Sequence, residues 1–136
     1  MFWRLECLDP DPEPPVQNGA RFVLQRHHDA RGAHLDLRLE AGGVLTGWRI
    51  EGGALEGVLW ATLKPPHPAR WLDYEGGAAR LEAGDYVWVS DENGARVLRL
   101  QGRAGAWRLR VAPWEPMTGA EARALAEAVE ACGASW

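Results

Sequence analysis

Seven short segments with the composition of β-strands dominate this sequence and constrain its fold more than any other feature. Valine, leucine and tryptophan alternate with polar residues, as in AWRLRVA. Turns such as Ala41-Gly42-Gly43 supply the glycines that hairpins need where φ is positive. The pattern predicts a mostly β fold, in which an antiparallel sheet closes into a small β-barrel or packs as a sandwich. The predicted strands span residues 21–27, 33–40, 44–51, 57–63, 85–91, 95–101 and 106–112.

One helix is predicted near the C-terminus, over residues 119–131. Thr118 and Glu121 have the spacing of a capping box, and Leu125 and Val129 lie four residues apart on one helical face. We expect this helix to cover one end of the barrel.

The N-terminal residues differ in composition from the rest of the chain. Four prolines between residues 9 and 19 exclude a regular helix or a central strand there. The predicted organisation is therefore an extended, acidic and proline-rich lead-in over residues 1–20, followed by a single barrel domain over residues 21–136.

Length and composition place the chain among single soluble domains. Its 136 residues, 46% of them hydrophobic, are enough to bury a core without disulfide staples. No apolar run approaches the roughly 20 residues of a membrane span, and the N-terminus lacks the apolar stretch of a signal peptide. We expect a cytoplasmic protein with no membrane partner. Cys7 and Cys132 are too isolated to indicate a disulfide framework or a zinc site.

The predicted strand AHLDLRLE, residues 33–40, separates its side chains into two sets. Successive residues of a strand point to opposite faces, so Ala33 and the three leucines share one face, which suits the core. The other face carries an imidazole, a guanidinium and two carboxylates. This is a higher density of ionisable groups than is typical of a solvated strand face. Its residues are His34, Asp36, Arg38 and Glu40.

This polar face is a candidate metal site. His34 and Asp36, two residues apart on a strand, can present a nitrogen and an oxygen to one divalent cation. The preceding strand ends at His27-His28, and its return beside residues 33–40 brings one of these histidines close to His34. We favour His27 over His28 because His27 shares a strand face with Gln25. A lone histidine would indicate only a hydrogen-bonded polar residue, but three histidines and an aspartate on one hairpin indicate a metal ligand set.

A longer string of residues resembles a known protein family. The string comprises RFVLQRHHDARGAHLDLRLEAGG, then Trp48, then His67-Pro68, then Asp73-Tyr74-Glu75-Gly76. It is similar to the 3′-phosphoesterase domain of bacterial and archaeal DNA ligase D, and especially to its short stand-alone relatives. The resemblance implies a small β-barrel with manganese, or another divalent transition metal, bound by His27, His34 and Asp36. It also implies an enzyme that removes 3′-terminal ribonucleotides and 3′-phosphates, leaving 3′-hydroxyl ends for DNA repair.

The same resemblance implies roles for residues around the metal. Arg38 and His67 are expected to contact the phosphate, and Gln25 is expected to support the site. An arginine fork can bind two phosphate oxygens, and a histidine can donate a proton or a hydrogen bond to developing charge. Glu40, on the same strand face, is expected to orient Arg38 or a ligand histidine.

Three further positions are interpreted through the family. Trp71 stands where the family has a tyrosine, and Tyr74 belongs to the Tyr-Glu-Gly string, so both are predicted to contact substrate. The family's lysine a few residues after the tryptophan is missing behind Trp48. Arg49 and Lys64 are the alternatives for its replacement.

A stretch of arginines with no acidic residue between them predicts a basic face for nucleic acid. It contains Arg96, Arg99, Arg103, Arg108 and Arg110. Arg108 and Arg110 alternate with apolar residues and therefore share the outward face of their strand, where they are predicted to contact the substrate backbone. The expected partners are nucleic acid 3′ ends, such as a primer-template with a 3′-ribonucleotide or 3′-phosphate, and a separate ligase or polymerase.

Two functions of other classes remain open. A cupin-like non-haem iron enzyme would use His34, Asp36 and a distal His67 as ligands, with Arg38 holding a carboxylate substrate. That hypothesis leaves His27 without a role. A catalytically silent module that binds nucleic acid ends is the second alternative, and it predicts binding without turnover.

Overall fold

A computed structural model describes residues 2–9, 15–16, 19–30, 32–68, 79–90 and 96–113, together with Ala120 and Arg123. Within these residues, nine strands form one sheet in which every pairing is antiparallel. The strands are β1 (Phe2–Cys7), β2 (Ala20–Asp29), β3 (Gly32–Ala41), β4 (Val44–Glu51), β5 (Val58–Leu63), β6 (His67–Pro68), β7 (Ala79–Ser90), β8 (Arg96–Gly102) and β9 (Ala106–Pro113).

Eight of these strands close into a barrel. The spatial order is β3-β2-β7-β8-β9-β1-β5-β4, and β3 also pairs with β4, which completes the ring. The short strand β6 pairs with the beginning of β4, beyond the end of β5. The prediction of a mostly β fold with a small antiparallel barrel is confirmed.

Alternation along each strand sends one set of side chains into the barrel. On β3, Leu35, Leu37 and Leu39 are buried in the core, and Trp48 and Ile50 join them from β4. The same core receives side chains from most of the other strands: Leu5, Phe22, Leu24, Ala61, Tyr86, Leu98, Leu100, Leu109 and Val111. The polar set of β3 consequently lies on the outer wall.

The connection between β3 and β4 matches the turn expected from its glycines. Ala41 pairs with Val44, so only two residues form the loop, and both Gly42 and Gly43 have positive φ, at 58° and 83°. A two-residue hairpin with positive φ at both positions suits the twist of antiparallel strands. This turn fixes the register between β3 and β4.

The predicted lead-in requires a correction. Residues 2–7 form β1, which pairs with β5 on one side and β9 on the other, and Leu5 is completely buried. The barrel therefore begins near the N-terminus, and the prolines follow its first strand instead of preceding the fold. β7 is also longer than predicted, because it begins at Ala79 and bulges opposite Leu24 and Gln25 of β2.

The predicted helix over residues 119–131 lies outside the described residues, apart from two isolated positions, and stays a prediction. Within the described part of the chain, there is no helix long and apolar enough to cross a membrane.

Candidate metal centre and phosphate-binding residues

The pairing of β2 with β3 brings the predicted ligands together. His27 lies opposite His34, and Gln25 lies opposite Asp36. Opposite partners in an antiparallel pair share a face, so these four side chains all project from the outer wall of the barrel. His28 pairs with Ala33 instead and is exposed. The register therefore places His27, and not His28, beside His34.

Asp36 is the centre of this group. Its Oδ2 lies 2.7 Å from Nε2 of His27 and 3.7 Å from Nε2 of His34. The two imidazole rings stack with their centroids 4.9 Å apart and their planes 2° from parallel. Although it projects from the outer wall, Asp36 is only 2% exposed. A buried carboxylate beside two imidazoles is costly unless cations or hydrogen bonds compensate its charge.

The group fits a divalent cation. One ligand atom from each of His27, His34 and Asp36 lies within 4.8 Å of the others, which is close to the span of two metal–ligand bonds of about 2.0–2.2 Å each. Nε2 of His27 is buried and, among the described residues, has no hydrogen-bond partner, although it is near Asp36. Two nitrogens and one carboxylate oxygen suit manganese, iron or zinc.

The electrostatic environment keeps both histidines ready to bind a metal. Burial lowers the pKa of His27 below its ordinary value, against the opposing charge of Asp36, and the cations of Lys64, Arg38 and Arg49 lower it further. Burial also lowers the pKa of His34. A lowered pKa leaves each imidazole neutral at neutral pH, with a lone pair available for coordination.

Lys64 is a cation in direct contact with this centre, and the sequence analysis named it only as one of two alternatives. Its Nζ lies 3.1 Å from Oδ1 of Asp36, and the side chain is only 9% exposed. The two groups form an ion pair. Lys64 is also the only lysine of the chain. That compositional signal could have drawn attention to it.

Arg49, the other alternative, forms an ion pair elsewhere. It lies opposite Asp36 in the pairing of β3 with β4, but its Nε donates a 2.7 Å hydrogen bond to Oε1 of Glu51. Both side chains of this pair are largely buried. Arg49 also contributes positive charge near the centre, where it acts on both His27 and His34.

The residues predicted to contact phosphate lie along the same wall. Arg38 follows Asp36 on the outer face of β3, and His67 lies on β6, where it pairs with Leu45. Burial lowers the pKa of His67, and the charges of Lys64 and Arg38 lower it further, which places His67 within the field of both cations. Arg38, Lys64 and His67 thus form a basic region beside the metal ligands.

The two predicted supporting residues occupy different environments. Gln25 is completely buried beside Asp36. Glu40 is half-buried two residues beyond Arg38, and its backbone carbonyl accepts a 2.6 Å hydrogen bond from the Tyr86 hydroxyl. This hydrogen bond fixes the backbone of β3 at Glu40, two residues after Arg38, to Tyr86 of β7.

Arg108 and Arg110, two of the predicted substrate contacts, lie away from this site. β9, which carries Arg108 and Arg110, is four strands away from β3 in either direction around the ring, so their outward faces lie on opposite sides of the barrel. Arg110 forms a 3.3 Å ion pair with Glu6. Trp71 and Tyr74 lie outside the described residues.

The ligand group also bears on the cupin-like alternative. That hypothesis required His67 beside His34 and Asp36. Among the described residues, the candidate metal group contains His27 as its third member, and not His67.

The fold and the site together define a small β-barrel protein with a candidate metal centre on its outer wall. Its sequence is similar to those of LigD proteins. It is 37% identical over 87 residues to the multifunctional non-homologous end joining protein LigD of Mycolicibacterium smegmatis. The aligned region covers 60% of this chain and 11% of that protein. It is 32% identical over 80 residues to the multifunctional non-homologous end joining DNA repair protein LigD of Mycobacterium tuberculosis. Here the aligned region covers 57% of this chain and 10% of that protein.

These similarities confirm that the chain resembles DNA ligase D (LigD). The chain spans only about a tenth of the length of these relatives. No protein-family model matches the chain.

Proposed function

We propose that this protein is a metal-dependent 3′-phosphoesterase that processes the 3′ ends of nucleic acids. The observation that carries the proposal is the convergence of His27, His34 and Asp36 beside a basic region on the same wall. The ligand triad can bind a divalent cation, and the basic region carries positive charge that is complementary to a phosphate. Both are requirements of phosphoester hydrolysis.

The chain's own residues divide this chemistry between them. His27, His34 and Asp36 would hold manganese, which when bound withdraws charge from the phosphate and activates water. Arg38 offers two N–H groups to the phosphate oxygens in the fork geometry that suits this group. His67, neutral at pH 7 because its pKa is lowered, donates a hydrogen bond from its ring N–H to the phosphate.

The names of the relatives support the biological setting of this proposal. Both are described as non-homologous end joining proteins. We infer that this chain acts in the same kind of repair, that its substrates are DNA ends with a 3′-terminal ribonucleotide or 3′-phosphate, and that a separate ligase or polymerase uses its 3′-hydroxyl product.

The test uses a primer-template whose primer ends in one ribonucleotide. It is incubated with the protein and manganese, and the products are resolved on a sequencing gel. We expect the terminal ribonucleotide to be removed and a 3′-hydroxyl to remain. His34→Ala should abolish the product, and His28→Ala is the matched control, because His28 is an exposed neighbour outside the ligand group.

Other outcomes of this assay would contradict the proposal. Tight binding of the 3′ end without any product, at every manganese concentration, would indicate a silent binding module. Iron content and oxygen consumption without phosphate chemistry would indicate a non-haem iron enzyme.

A further inference from the structure

The two carboxylate oxygens of Asp36 face different groups. Oδ2 points to the two imidazoles, at 2.7 Å from Nε2 of His27 and 3.7 Å from Nε2 of His34. Oδ1 faces the ammonium group of Lys64 at 3.1 Å. A cation on one oxygen fixes the rotation of the carboxylate and leaves the other oxygen for the metal.

The backbone holds Lys64 in this position. Its N–H donates a 2.8 Å hydrogen bond to the carbonyl of Gly47, between the part of β4 that pairs with β5 and the part that pairs with β6. Gly47 has a φ of 146°, and a Cβ at this position would overlap the carbonyl oxygen of Leu37. Pro65 and Pro66 follow Lys64 and restrict the backbone after it. The lysine is therefore built into the wall and is not a flexible surface residue.

The use of lysine at this position is selective. Among lysine and arginine residues, the other fourteen are all arginines. Lysine carries a compact point charge, whereas arginine presents a planar fork that binds both oxygens of a carboxylate. A point charge can contact Oδ1 and leave Oδ2 unengaged.

We propose that Lys64 is a positioning residue that limits Asp36 to one metal-ligating oxygen and directs positive charge toward the phosphate. This inference rests on the proposed function. It states that the charge of Lys64 lowers the affinity for the metal and raises the affinity for the phosphate. The charge of Lys64 weakens metal binding, because it repels a divalent cation at the same carboxylate. The same charge strengthens binding of a phosphate held between Lys64, Arg38 and His67.

A single variant should therefore change the two affinities in opposite directions. Lys64→Met removes the charge and frees Oδ1, so Asp36 can bind the metal with both oxygens. We expect manganese affinity to rise by about tenfold, within the range over which groups around metal ligands tune affinity. Affinity for a 3′-phosphate should fall by a similar factor. Lys64→Arg keeps the charge and should retain most of the wild-type preference for the 3′-phosphate.

Two binding measurements that do not depend on turnover test this inference. The first is calorimetric titration with manganese, accompanied by the electron paramagnetic resonance spectrum of the bound ion. The spectrum should differ between wild type and Lys64→Met if the carboxylate changes its binding mode. The second is fluorescence anisotropy, with metal chelated, of a single-stranded DNA oligonucleotide ending in a 3′-phosphate, compared with the same oligonucleotide ending in a 3′-hydroxyl.

The outcomes separate this inference from the proposed function. Wild-type protein that binds no manganese would overturn the proposed function, and the role of Lys64 with it. Wild-type protein that binds manganese, with unchanged or weaker binding in a folded Lys64→Met variant, would overturn only the role of Lys64. A loss of both affinities together would show that Lys64 has a structural role alone.

Discussion

The ion pair between Asp36 and Lys64 should be worth several kilocalories per mole to the folded protein when metal is chelated. The two side chains are 3% and 9% exposed, so either charge left without the other stays largely out of water. Removing one member of a buried ion pair costs about 3–5 kcal/mol. We expect Asp36→Asn to lower the free energy of unfolding by about 3 kcal/mol. The value lies at the lower end because the amide keeps the shape of the side chain.

The coupling between the two residues gives the sharper measurement. Lys64→Met should also cost about 3 kcal/mol, because it strands a buried carboxylate. The double variant removes both charges, so its loss should be smaller than the sum by about 2 kcal/mol. Urea unfolding in the presence of a chelator, followed by the fluorescence of the eight tryptophans, measures all four proteins of this cycle.

A surface ion pair of the same chain provides the control. Arg110 and Glu6 are 3.3 Å apart, with 38% and 26% of their side chains exposed. Their coupling in the same kind of cycle should be no more than about 0.5 kcal/mol, because water screens the pair. A coupling between Asp36 and Lys64 as small as that of the surface pair would refute the argument that this carboxylate is held by a buried cation.

The remaining predictions concern the metal, the phosphate and the basic face. His34→Ala should abolish manganese binding in calorimetry while the fold survives, because the side chain faces away from the leucine core, and His28→Ala should retain binding; equal losses in both variants would contradict the ligand assignment. Arg38→Ala should retain the metal but lose turnover by about 10²-fold, as for one lost charge-stabilising donor, and Arg38→Lys should restore it only in part; a wild-type rate would remove Arg38 from the mechanism. Replacing Arg108 and Arg110 together with alanine should flatten the salt dependence of primer-template binding by up to about two charges and leave saturated turnover unchanged, since both lie across the barrel from the metal ligands; an unchanged salt slope would mean that they are only solvated surface.

The local pattern of the sequence determined much of this molecule. Alternation along residues 33–40 separated a leucine face from the polar face of His34 and Asp36, because a strand can point successive side chains only to opposite sides. The glycines of the β3–β4 turn predicted a tight hairpin. The short connection after His28 predicted that the next strand, β3, returns beside β2. The ligand set depends on one hairpin, so neighbouring residues were enough to propose it.

Other features depend on contacts between distant parts of the chain, and only the tertiary structure decided them. β1 belongs to the barrel because residues 2–7 pair with β5 and β9, more than fifty positions away, and no local signal reports such a pairing. Ring closure also decides that Arg108 and Arg110 face away from the metal ligands, although the strand pattern showed correctly that they share an outward face. Lys64 reaches Asp36 because the residue after β5 is hydrogen-bonded to Gly47 of β4, and β4 pairs with β3 on its other side. The sequence could therefore place each side chain on a face of its strand, whereas the closure of the sheet determined which faces meet.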